Sequence, residues 1–550
     1  MTDPAGPGPG PVGPPPDLGR AAISVSAVNM VSRISGFARV VATGAALGIA
    51  TLGDTYQSAN VVSNVLFEML AGGLLFAVLV PAFVGRVAQG DRGGARRLGD
   101  VLVGRAMVAL GAVAVVGVVL SPLLARALFV SVKGGPPEAQ VELATVLLWF
   151  VLPQIVLYGV GSVLTALLQA DHRFVAASAA PVANNLVVIA TMVTFAAVHG
   201  TGGGLDLSTV DQVILGGGTL LGTVAMTGVV VVAARRGGLS LRPRWHHPDV
   251  GPLGPLVHQG LWAAGYIGLN QVLVLSTVVL ANDVPGGAIA FTTAFTVFLL
   301  PHAVLAHPVV TTLSPRLAAH AHQGQDEAFA ADLGRGLRLL LVILAPSAAL
   351  MAVLARPGLQ VVAGVGALDS SGLSLVATAL AGFSTALVGY SIFFLLTRSA
   401  YAINDAAGPT KVNLVVTAVS VGGMVLAAAS LEGPRVLAAF GLVQGVALSL
   451  GALAMAARLR RRTRPVHGAG AALLRGLAAA AAGGLPAWAV VAVVGDASRA
   501  TSLLATGLGG LVGSVGVIGS LRLLRAPELG AVLARIPGRS KPAPVDEVVR

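Results

Sequence analysis

Cysteine is absent from this 550-residue sequence, and charged side chains are scarce. The lack of cysteine excludes disulfides, thiolate chemistry and cysteine-based metal sites. Charged residues make up 11% of the chain, less than half of the roughly 25% found in soluble globular proteins. No amino-terminal secretory signal is apparent, because the first 20 residues are rich in proline and glycine and carry almost no positive charge. An ordinary soluble protein is therefore excluded.

Long apolar runs make up much of the sequence. Hydrophobic residues make up 55% of the sequence, and the mean hydropathy is +0.85. Many runs reach about 20 residues, the length at which an α-helix crosses a bilayer. The runs do not alternate apolar with polar residues, as the strands of a membrane β-barrel would. These features predict an all-α polytopic membrane protein.

Fourteen spans are predicted where apolar runs end at arginine, proline or glycine. Their approximate limits are 24–49, 58–84, 101–125, 143–168, 174–198, 212–234, 256–280, 288–313, 337–355, 373–397, 411–430, 436–457, 472–495 and 501–521. Of the 35 basic residues, 28 fall on the side that includes both termini, five fall on the other side, and Arg33 and Arg39 lie inside span 1. Because cytoplasmic loops carry an excess of arginine and lysine, both termini are predicted to be cytoplasmic.

A segment of span 5 recurs in span 11, which indicates an internal duplication. Pro181 and Asn185 match Pro409 and Asn413 at an offset of 228 residues, and Leu-Val-Val follows both asparagines. Parallel repeats around a central substrate site are a transporter architecture. We therefore expect two pseudo-symmetric six-helix lobes around a central cavity, followed by two C-terminal helices.

The predicted divisions of the chain follow from this duplication. They are a disordered Pro/Gly-rich cytoplasmic tail (1–21), an N-lobe (22–236), a cytoplasmic linker (237–252), a C-lobe (253–458), two appended spans (459–525) and a cytoplasmic C-terminal tail (526–550).

Polar residues in span 1 are candidates for substrate binding. One helical face carries, at spacings of three or four residues, Ser26, Asn29, Arg33 and Gly36. Arg39 lies on an adjacent flank. An arginine near mid-membrane costs several kcal/mol unless it faces protein or water, so both arginines are predicted to be functional. The structural alternatives are snorkelling of Arg39 and a permanent ion pair of Arg33.

Span 2 carries a polar stripe that ends in the only charge of the span. The stripe consists of Gln57, Asn60, Asn64 and Glu68. It either packs against span 1 as a polar contact between helices or lines a hydrated cavity. Glu68 is then either a charge partner of an arginine in span 1 or a site for a proton or cation.

Signals for chemistry are missing from the rest of the sequence. No Walker A motif, zinc signature or acid–base constellation is present. We therefore expect no enzymatic activity, no catalytic or metal-binding residues and no cofactor, apart from a coupling ion, H⁺ or Na⁺, left unassigned. Pro301 and Pro308 are expected to interrupt span 8, because each removes a backbone donor.

The motifs of spans 1 and 2 resemble the signature of the MviN/MurJ family of lipid II flippases. The sequence Ser32-Arg33-Ile-Ser-Gly36-Phe37-Ala38-Arg39 is similar to the family's S-R-x-x-G-F-x-R, and Gly53-Asp54-Thr-Tyr56 is similar to its D-A-[FY]. The N-x-x-x-E-x-x-x-G-G…P pattern of actinobacterial-type members is matched by Asn64, Glu68, Gly72, Gly73 and Pro81. The stretch from Tyr401 to Lys411 is similar to the family's link before span 11, and the resemblance covers residues 22–525.

The resemblance implies a transporter of the multidrug/oligosaccharidyl-lipid/polysaccharide exporter superfamily in a bacterial plasma membrane. Arg33 and Arg39 would belong to a cationic central cavity that receives the pyrophosphate of the substrate. With them, the predicted substrate-binding set comprises Asn29, Asn60 and Asn64.

Other positions imply a gate and a less positive cavity. Asp54 would be the acidic residue of the family at the outer end. Many members carry basic residues in span 2, where this chain has Phe67 and Glu68, and in span 8, where it has Thr296. The cavity is therefore expected to be less positive than in those members.

These observations predict a non-enzymatic flippase that moves lipid II, an undecaprenyl-pyrophosphate-linked peptidoglycan precursor, from the inner to the outer leaflet by alternating access. Its expected partners are this precursor, membrane lipids and the cell-wall synthesis machinery, with no nucleic acid. Two alternatives stay open. One is a cation-coupled drug or polysaccharide-lipid exporter of the same superfamily, with Glu68 as the coupling carboxylate, and the other is a non-transporting scaffold for cell-wall synthesis.

Overall fold

Regular structure is entirely helical in the part of the chain that the structure describes. The computed structural model describes residues 18–70, 79–171, 173–239, 241–248, 250, 254–405, 407–461, 464, 466–528 and 530. The predicted tails over 1–21 and 526–550, and the Gly72–Gly73 pair of the family pattern, therefore lie largely or wholly outside the described residues.

The first half of the described chain folds into helices α1 to α9. They are α1 (Leu18–Leu47), α2 (Thr51–Glu68), α3 (Val80–Ala88), α4 (Arg92–Val119), α5 (Ser121–Leu128), α6 (Glu138–Val151), α7 (Gln154–Ala170), α8 (Phe174–Val198) and α9 (Thr209–Arg236).

The second half folds into helices α10 to α19. They are α10 (Gly254–Ala281), α11 (Gly287–Pro301), α12 (His307–His322), α13 (Asp326–Gln360), α14 (Ser370–Ser384), α15 (Ala386–Ala402), α16 (Ala407–Ser430), α17 (Pro434–Arg460), α18 (Ala469–Val494) and α19 (Arg499–Leu523).

Most of these helices are long and apolar enough to cross a membrane. Within the described residues, ten helical segments meet this criterion, and the bent pair α14–α15 makes eleven. These two helices meet at an angle of 50°, as expected of one broken span. The helices follow the order of the predicted spans, so the polytopic all-α class is confirmed, whereas the number fourteen stays a prediction.

Span 8 changes its helix type between its two prolines but stays one helical segment, Gly287–His322. α11 ends at Pro301, a single π-helical turn occupies His302–Ala306, and α12 begins at His307. A π-turn accommodates backbone groups that proline leaves without their usual helical partner. Proline alone is not sufficient, since α8 continues through Pro181.

The duplicated asparagines make equivalent contacts in the two halves. Asn185 of α8 donates through Nδ2 to the carbonyl of Ser32 in α1 at 3.3 Å. Asn413 of α16 donates through Nδ2 to the carbonyl of Tyr266 in α10 at 3.4 Å. The helices pair in the same way, α8 with α1 and α16 with α10. Two lobes built on one scaffold are therefore confirmed, an N-lobe of α1–α9 and a C-lobe of α10–α17.

The last two helices extend the C-lobe rather than form a third unit. α18 and α19 pack against each other, and both pack against α13. Their contact surface is made of small residues, and Gly483 lies against the Gly513 backbone. Such close approach of backbones is typical of packing between membrane helices, where small residues replace hydrophobic driving force.

The chain between the lobes is fixed to the N-lobe. Asp100 of α4 accepts the backbone N–H of Arg242 on its side chain (2.6 Å) and that of Arg244 on its carbonyl (2.9 Å). The backbone of Arg244 lies against Gly104, where any side chain would collide with it. The start of the predicted linker is therefore held against α4.

Candidate functional site: a cavity between the lobes

A cavity of about 1640 Å³ lies between the two lobes. Its N-lobe wall comes from α1, α2, α7, α8 and α9, and its C-lobe wall from α10, α11 and α14 to α17. Pockets for drug-sized ligands usually measure about 300–1,000 Å³. This cavity can therefore hold a larger ligand, such as the head group of a complex lipid.

One end of the cavity, called the closed end below, is sealed by direct contact between the lobes. Gly286 (φ 78°) and Gly366 (φ 58°) bring their backbones against the backbones of Ile49 and Ala45 in the turn after α1 and at its end. Ala367 also donates its backbone N–H to the Ala45 carbonyl at 2.7 Å. Glycine is required at both positions, because a Cβ would collide with the opposite backbone and the positive φ disfavours other residues.

Asp54 joins the lobes at the closed end. It is 1% exposed, and its carboxylate accepts the backbone N–H groups of Gly286 (2.6 Å) and Ile289 (3.0 Å). These groups belong to the start of α11, where unpaired N–H groups and the helix dipole favour a negative charge. The acidic residue predicted for the outer end thus attaches α2 to α11, and its role in gating stays a prediction.

Further polar contacts reinforce the closed end. Ser58 of α2 donates to the Asn282 side-chain oxygen at 3.1 Å, and Asn282 donates to the Leu128 carbonyl at 2.8 Å. Lys133 forms an ion pair with Asp283 at 3.4 Å. Each of these contacts crosses from the N-lobe to the segment just after α10, so the seal consists of several independent bonds.

The opposite end of the cavity, called the mouth below, lies where α15 ends and α16 begins. Because α14 starts at the closed end and the bent pair α14–α15 crosses the molecule, α15 ends at the far side. Arg398, Tyr401 and Lys411 line the cavity there and are exposed. The cavity is therefore accessible from one end.

Four of the predicted site residues line the cavity. They are Arg39, Asn60, Asn64 and Glu68. Arg39 is half-buried, and the side chain of Glu68 is exposed to the cavity. In the described part of the chain Glu68 forms no ion pair with either arginine of span 1. The polar stripe of span 2 thus faces the cavity and not a dry contact with α1.

Arg33 and Asn29 are exposed on α1 and are not among the residues that line the cavity. The small residues Ser32 and Gly36 of α1 lie against Asn185 of α8, and this contact orients the flank of Arg39 towards the cavity. Arg33 lies within electrostatic range of His302 and His307 in the C-lobe. A substrate-binding role for Arg33 and Asn29 stays a prediction.

The N-lobe wall is a network of hydroxyls and amides. Gln154 is 0% exposed, and its Oε1 lies within hydrogen-bonding distance of the hydroxyls of Ser63 (2.8 Å), Thr223 (2.8 Å) and Tyr158 (3.0 Å). The Tyr158 hydroxyl also lies 2.7 Å from that of Ser63. Buried networks of this kind rigidify their surroundings when every member is satisfied.

The C-lobe wall is aromatic and basic. All six phenylalanines that line the cavity belong to this lobe, namely Phe291, Phe295, Phe298, Phe383, Phe393 and Phe394. Phe383 is central to the group, with its ring centroid 4.5 Å from that of Phe291 and 5.3 Å from that of Phe298. Arg398 places its guanidinium 5.2 Å from the Phe394 ring centroid.

The sequence prediction missed several cavity residues. Arg398 and Lys411 were counted only as topology signals, because they sit at the limits of predicted spans 10 and 11. The chain has five tyrosines, and all of them line the cavity, namely Tyr56, Tyr158, Tyr266, Tyr390 and Tyr401. The scarcity of tyrosine in so apolar a chain was a signal that could have identified them.

The departures from the family pattern also lie at or near the cavity. Thr296 lines it and donates its hydroxyl to the Thr292 carbonyl at 3.0 Å. Phe67 packs its ring against Tyr158, with centroids 5.1 Å apart. Among the described residues, no group of three or more histidine, aspartate or glutamate side chains could hold a metal ion.

Two repeated helical lobes that close one end of a cavity and leave the other accessible define a membrane transporter fold. Solved structures share it. A lipid II flippase MurJ in an inward closed conformation matches with a TM-score of 0.73 at 17% identity, covering 92% of this chain and 100% of the other. An inward-facing multidrug resistance MATE family transporter of the MOP superfamily matches with a TM-score of 0.61 at 15% identity, over 82% and 98% of the two chains.

The chain belongs to the lipid II flippase MurJ family, whose sequence model matches residues 43–504. A probable lipid II flippase MurJ of Rhizobium tropici is 27% identical over 400 residues, which are 72% of this chain and 73% of the relative. A lipid II flippase MurJ of Burkholderia cenocepacia is 25% identical over 407 residues, or 74% and 77% of the two chains. The resemblance to the MviN/MurJ family is therefore confirmed, with the span 1 motif lying just before the matched residues.

Proposed function

We propose that this protein is a lipid II flippase of the bacterial plasma membrane that works by alternating access. The observation that carries the proposal is the large cavity between two repeated lobes, sealed at one end and lined by Arg39 and other polar and charged side chains, in a chain of the MurJ family. The head group of the lipid crosses inside the cavity, while its hydrocarbon chain stays in the bilayer. No bond is made or broken, so the protein is a transporter and not an enzyme.

The charge of the cavity supports an anionic head group. Its charged residues are Arg39, Glu68, Arg398 and Lys411, three cations against one carboxylate. At an effective dielectric constant near 20, one charge pair at 4 Å contributes about 4 kcal/mol before desolvation. A diphosphate can thus be held firmly and still be released when the lobes rearrange. The same charge balance disfavours export of a cationic drug.

The proposed direction of transport follows from the arginine distribution in the sequence. The mouth carries the link between spans 10 and 11, which belongs to the arginine-rich set of loops, so we place the mouth and both termini in the cytoplasm. The closed end then faces the exterior, and the cavity receives lipid II from the inner leaflet. The cell-wall synthesis machinery would supply the substrate and accept it after release.

The proposal requires a driving force but no cofactor. Glu68 is the candidate coupling residue, because it is the carboxylate in the cavity wall and forms no ion pair with Arg33 or Arg39 in the described chain. Protonation or Na⁺ binding at Glu68 would change the cavity charge by one unit. Flipping that depends on an imposed H⁺ or Na⁺ gradient in wild type, but not in Glu68→Gln, would support this assignment.

The direct test is lipid II flipping in proteoliposomes. Wild type should flip lipid II, and Arg39→Ala should lower the rate at least tenfold, because losing a charge-assisted contact costs about 1.5–3 kcal/mol. Arg460→Ala is a matched control, since Arg460 is exposed at the end of α17 and away from the cavity. No flipping by the wild-type protein would reject the proposed function.

A further inference from the structure

The two walls of the cavity carry different net charge. Arg39 and Glu68 of the N-lobe cancel, whereas Arg398 and Lys411 of the C-lobe add to two positive charges. In the described part of the chain no acidic side chain forms an ion pair with Arg398 or Lys411. Two basic side chains facing one cavity without a carboxylate partner repel each other, and an anion between them would relieve that repulsion.

Helix geometry places the two C-lobe cations near the mouth and Arg39 deep in the cavity. Arg398 lies one turn before the end of α15, and Lys411 lies one turn after the start of α16. At 1.5 Å per residue, each is about 6 Å from its helix end at the mouth. Arg39 precedes the end of α1 by eight residues, which puts it about 12 Å from the closed end. The two places are therefore at different depths along the cavity.

The turn that carries the two cations is rigid. Asp405, buried between α15 and α16, accepts two hydrogen bonds from Arg458, at Nε (2.6 Å) and Nη2 (3.0 Å), and also accepts the Gly408 N–H at 3.0 Å. Bidentate arginine–carboxylate pairs add geometric specificity to binding energy. Arg458 also neutralises Asp405, so this carboxylate does not compete with a ligand for Arg398 or Lys411.

Within the described residues, the contact that positions the Arg398 guanidinium is with an aromatic ring. It lies 5.2 Å from the Phe394 ring centroid, a cation–π arrangement. Tyr401, about one turn further along α15, adds a phenol to the cavity wall. A planar guanidinium binds two oxygens of a phosphate, and a lysine supplies a point charge beside it.

We infer that Arg398 and Lys411 form a mouth subsite that captures the diphosphate of the lipid-linked substrate before it moves to Arg39. This inference rests on the proposed function. The ligand class is a lipid-linked diphosphate, and the two residues determine capture and specificity, whereas Arg39 acts on the translocating head group. Capture of the substrate at the mouth and its transfer to Arg39 can therefore be measured as separate kinetic steps.

The test measures the initial rate of lipid II flipping against lipid II concentration in phosphatidylcholine proteoliposomes. Arg398→Gln/Lys411→Gln should raise the half-saturating lipid II concentration by about tenfold or more and leave the maximal rate within about twofold, because charged hydrogen bonds to an anion are lost only at capture. Arg39→Gln should mainly lower the maximal rate. Added salt should slow wild type and affect the double variant less, since exposed charges are screened.

Controls separate folding, ligand source and the proposed function. Arg398→Lys/Lys411→Arg keeps both charges and should recover most of the affinity, so a loss equal to that of the glutamine variant would overturn the subsite. Phosphatidylglycerol should displace undecaprenyl diphosphate from the purified protein much less than unlabelled undecaprenyl diphosphate does, and equal displacement by the two lipids would also overturn the subsite.

If wild type flips lipid II and the glutamine variant saturates like wild type, the subsite is wrong and the function stands. If wild type does not flip lipid II but the glutamine variant still loses binding of undecaprenyl diphosphate, the function is wrong and the subsite stands.

Discussion

The two lobes share a scaffold but differ in the aromatic and charged side chains that they present to the cavity between them. Asn185 and Asn413 make the same contact to the paired helix in each lobe. Both walls carry hydroxyls and amides, which in the N-lobe form a network around Gln154, whereas the phenylalanine rings and the cations Arg398 and Lys411 belong to the C-lobe. The duplicated pattern thus dictates how helices pack and leaves the cavity-facing positions free to differ.

This difference has a consequence for transport. A lobe with a satisfied polar network keeps a fixed shape, whereas a lobe with aromatic side chains and exposed cations can adapt to a bulky anionic ligand. When the lobes move relative to each other, the two kinds of wall separate and the ligand loses contacts from one side. Because the two walls differ, the residues that hold the ligand during binding differ from those that it leaves during release.

The largest effect is expected at Gln154. It tests whether the polar network of the N-lobe wall stabilises the fold more than the C-lobe wall does. Gln154→Leu should lower the free energy of unfolding by about 2–3 kcal/mol, because buried hydroxyls of Ser63, Tyr158 and Thr223 lose their shared acceptor. The matched change in the C-lobe is Gln444→Leu. Gln444 is also buried, but its closest contacts are long, 3.4 Å to Thr277 and 3.6 Å to the sulfur of Met424.

Gln444→Leu should therefore cost less than about 1 kcal/mol. Thermal unfolding of both variants in the same detergent gives the comparison. Equal destabilisation by the two variants would mean that the N-lobe network is no stiffer than the C-lobe wall.

An intermediate effect is expected at Asp54, where the lobes meet. Asp54→Asn keeps the shape and removes the charge that accepts from Gly286 and Ile289, so the closed end should open more often, by about tenfold in population for a loss near 1.4 kcal/mol. Because the chain has no cysteine, spin labels can be attached at single introduced cysteines on α2 and α11. Distance distributions that are identical in wild type and Asp54→Asn would contradict a role of this carboxylate in the seal.

The smallest difference between the lobes is expected for the repeated asparagines, which test whether the scaffold is truly equivalent. Asn185→Ala and Asn413→Ala should each destabilise the protein by about 1–2 kcal/mol, because each loses a hydrogen bond to a backbone carbonyl and a second one to a side-chain oxygen, Ser35 Oγ (3.0 Å) or Asn270 Oδ1 (3.1 Å). Thermal unfolding should give values within about 0.5 kcal/mol of each other. A large effect in only one lobe would show that the helices of the two lobes are not held together in the same way.

The sequence predicted the scaffold well because its signals are local. Apolar run length predicted the membrane helices, the Pro181/Pro409 offset predicted the repeat, and the spacing of Asn60, Asn64 and Glu68 predicted a single polar stripe, with its partner, span 1 or a cavity, left open. Each signal depends on residues within one helix or on an alignment of two helices.

The remaining part of the site depends on how helices are rotated, which one helix does not encode. Arg33 and Arg39 have similar sequence surroundings, yet only Arg39 lines the cavity, while Arg33 lies within electrostatic range of His302 and His307 in the C-lobe. Arg398 and Lys411 lie at helix ends, where basic residues ordinarily mark topology, so their position at the mouth required the tertiary structure.

The attachment of Arg242 and Arg244 to α4 sets a mechanical limit on the motion of the lobes. Trp245 is held as well, since its carbonyl accepts from Arg105 Nε at 3.0 Å, so eight residues (246–253) remain between this anchor and Gly254, where the C-lobe begins. An extended chain covers at most about 3.3–3.6 Å per residue, so this tether can stretch to roughly 30 Å and no further. The tether thus limits how far the lobes can separate in each transport cycle. Deletions or insertions in it would change that limit.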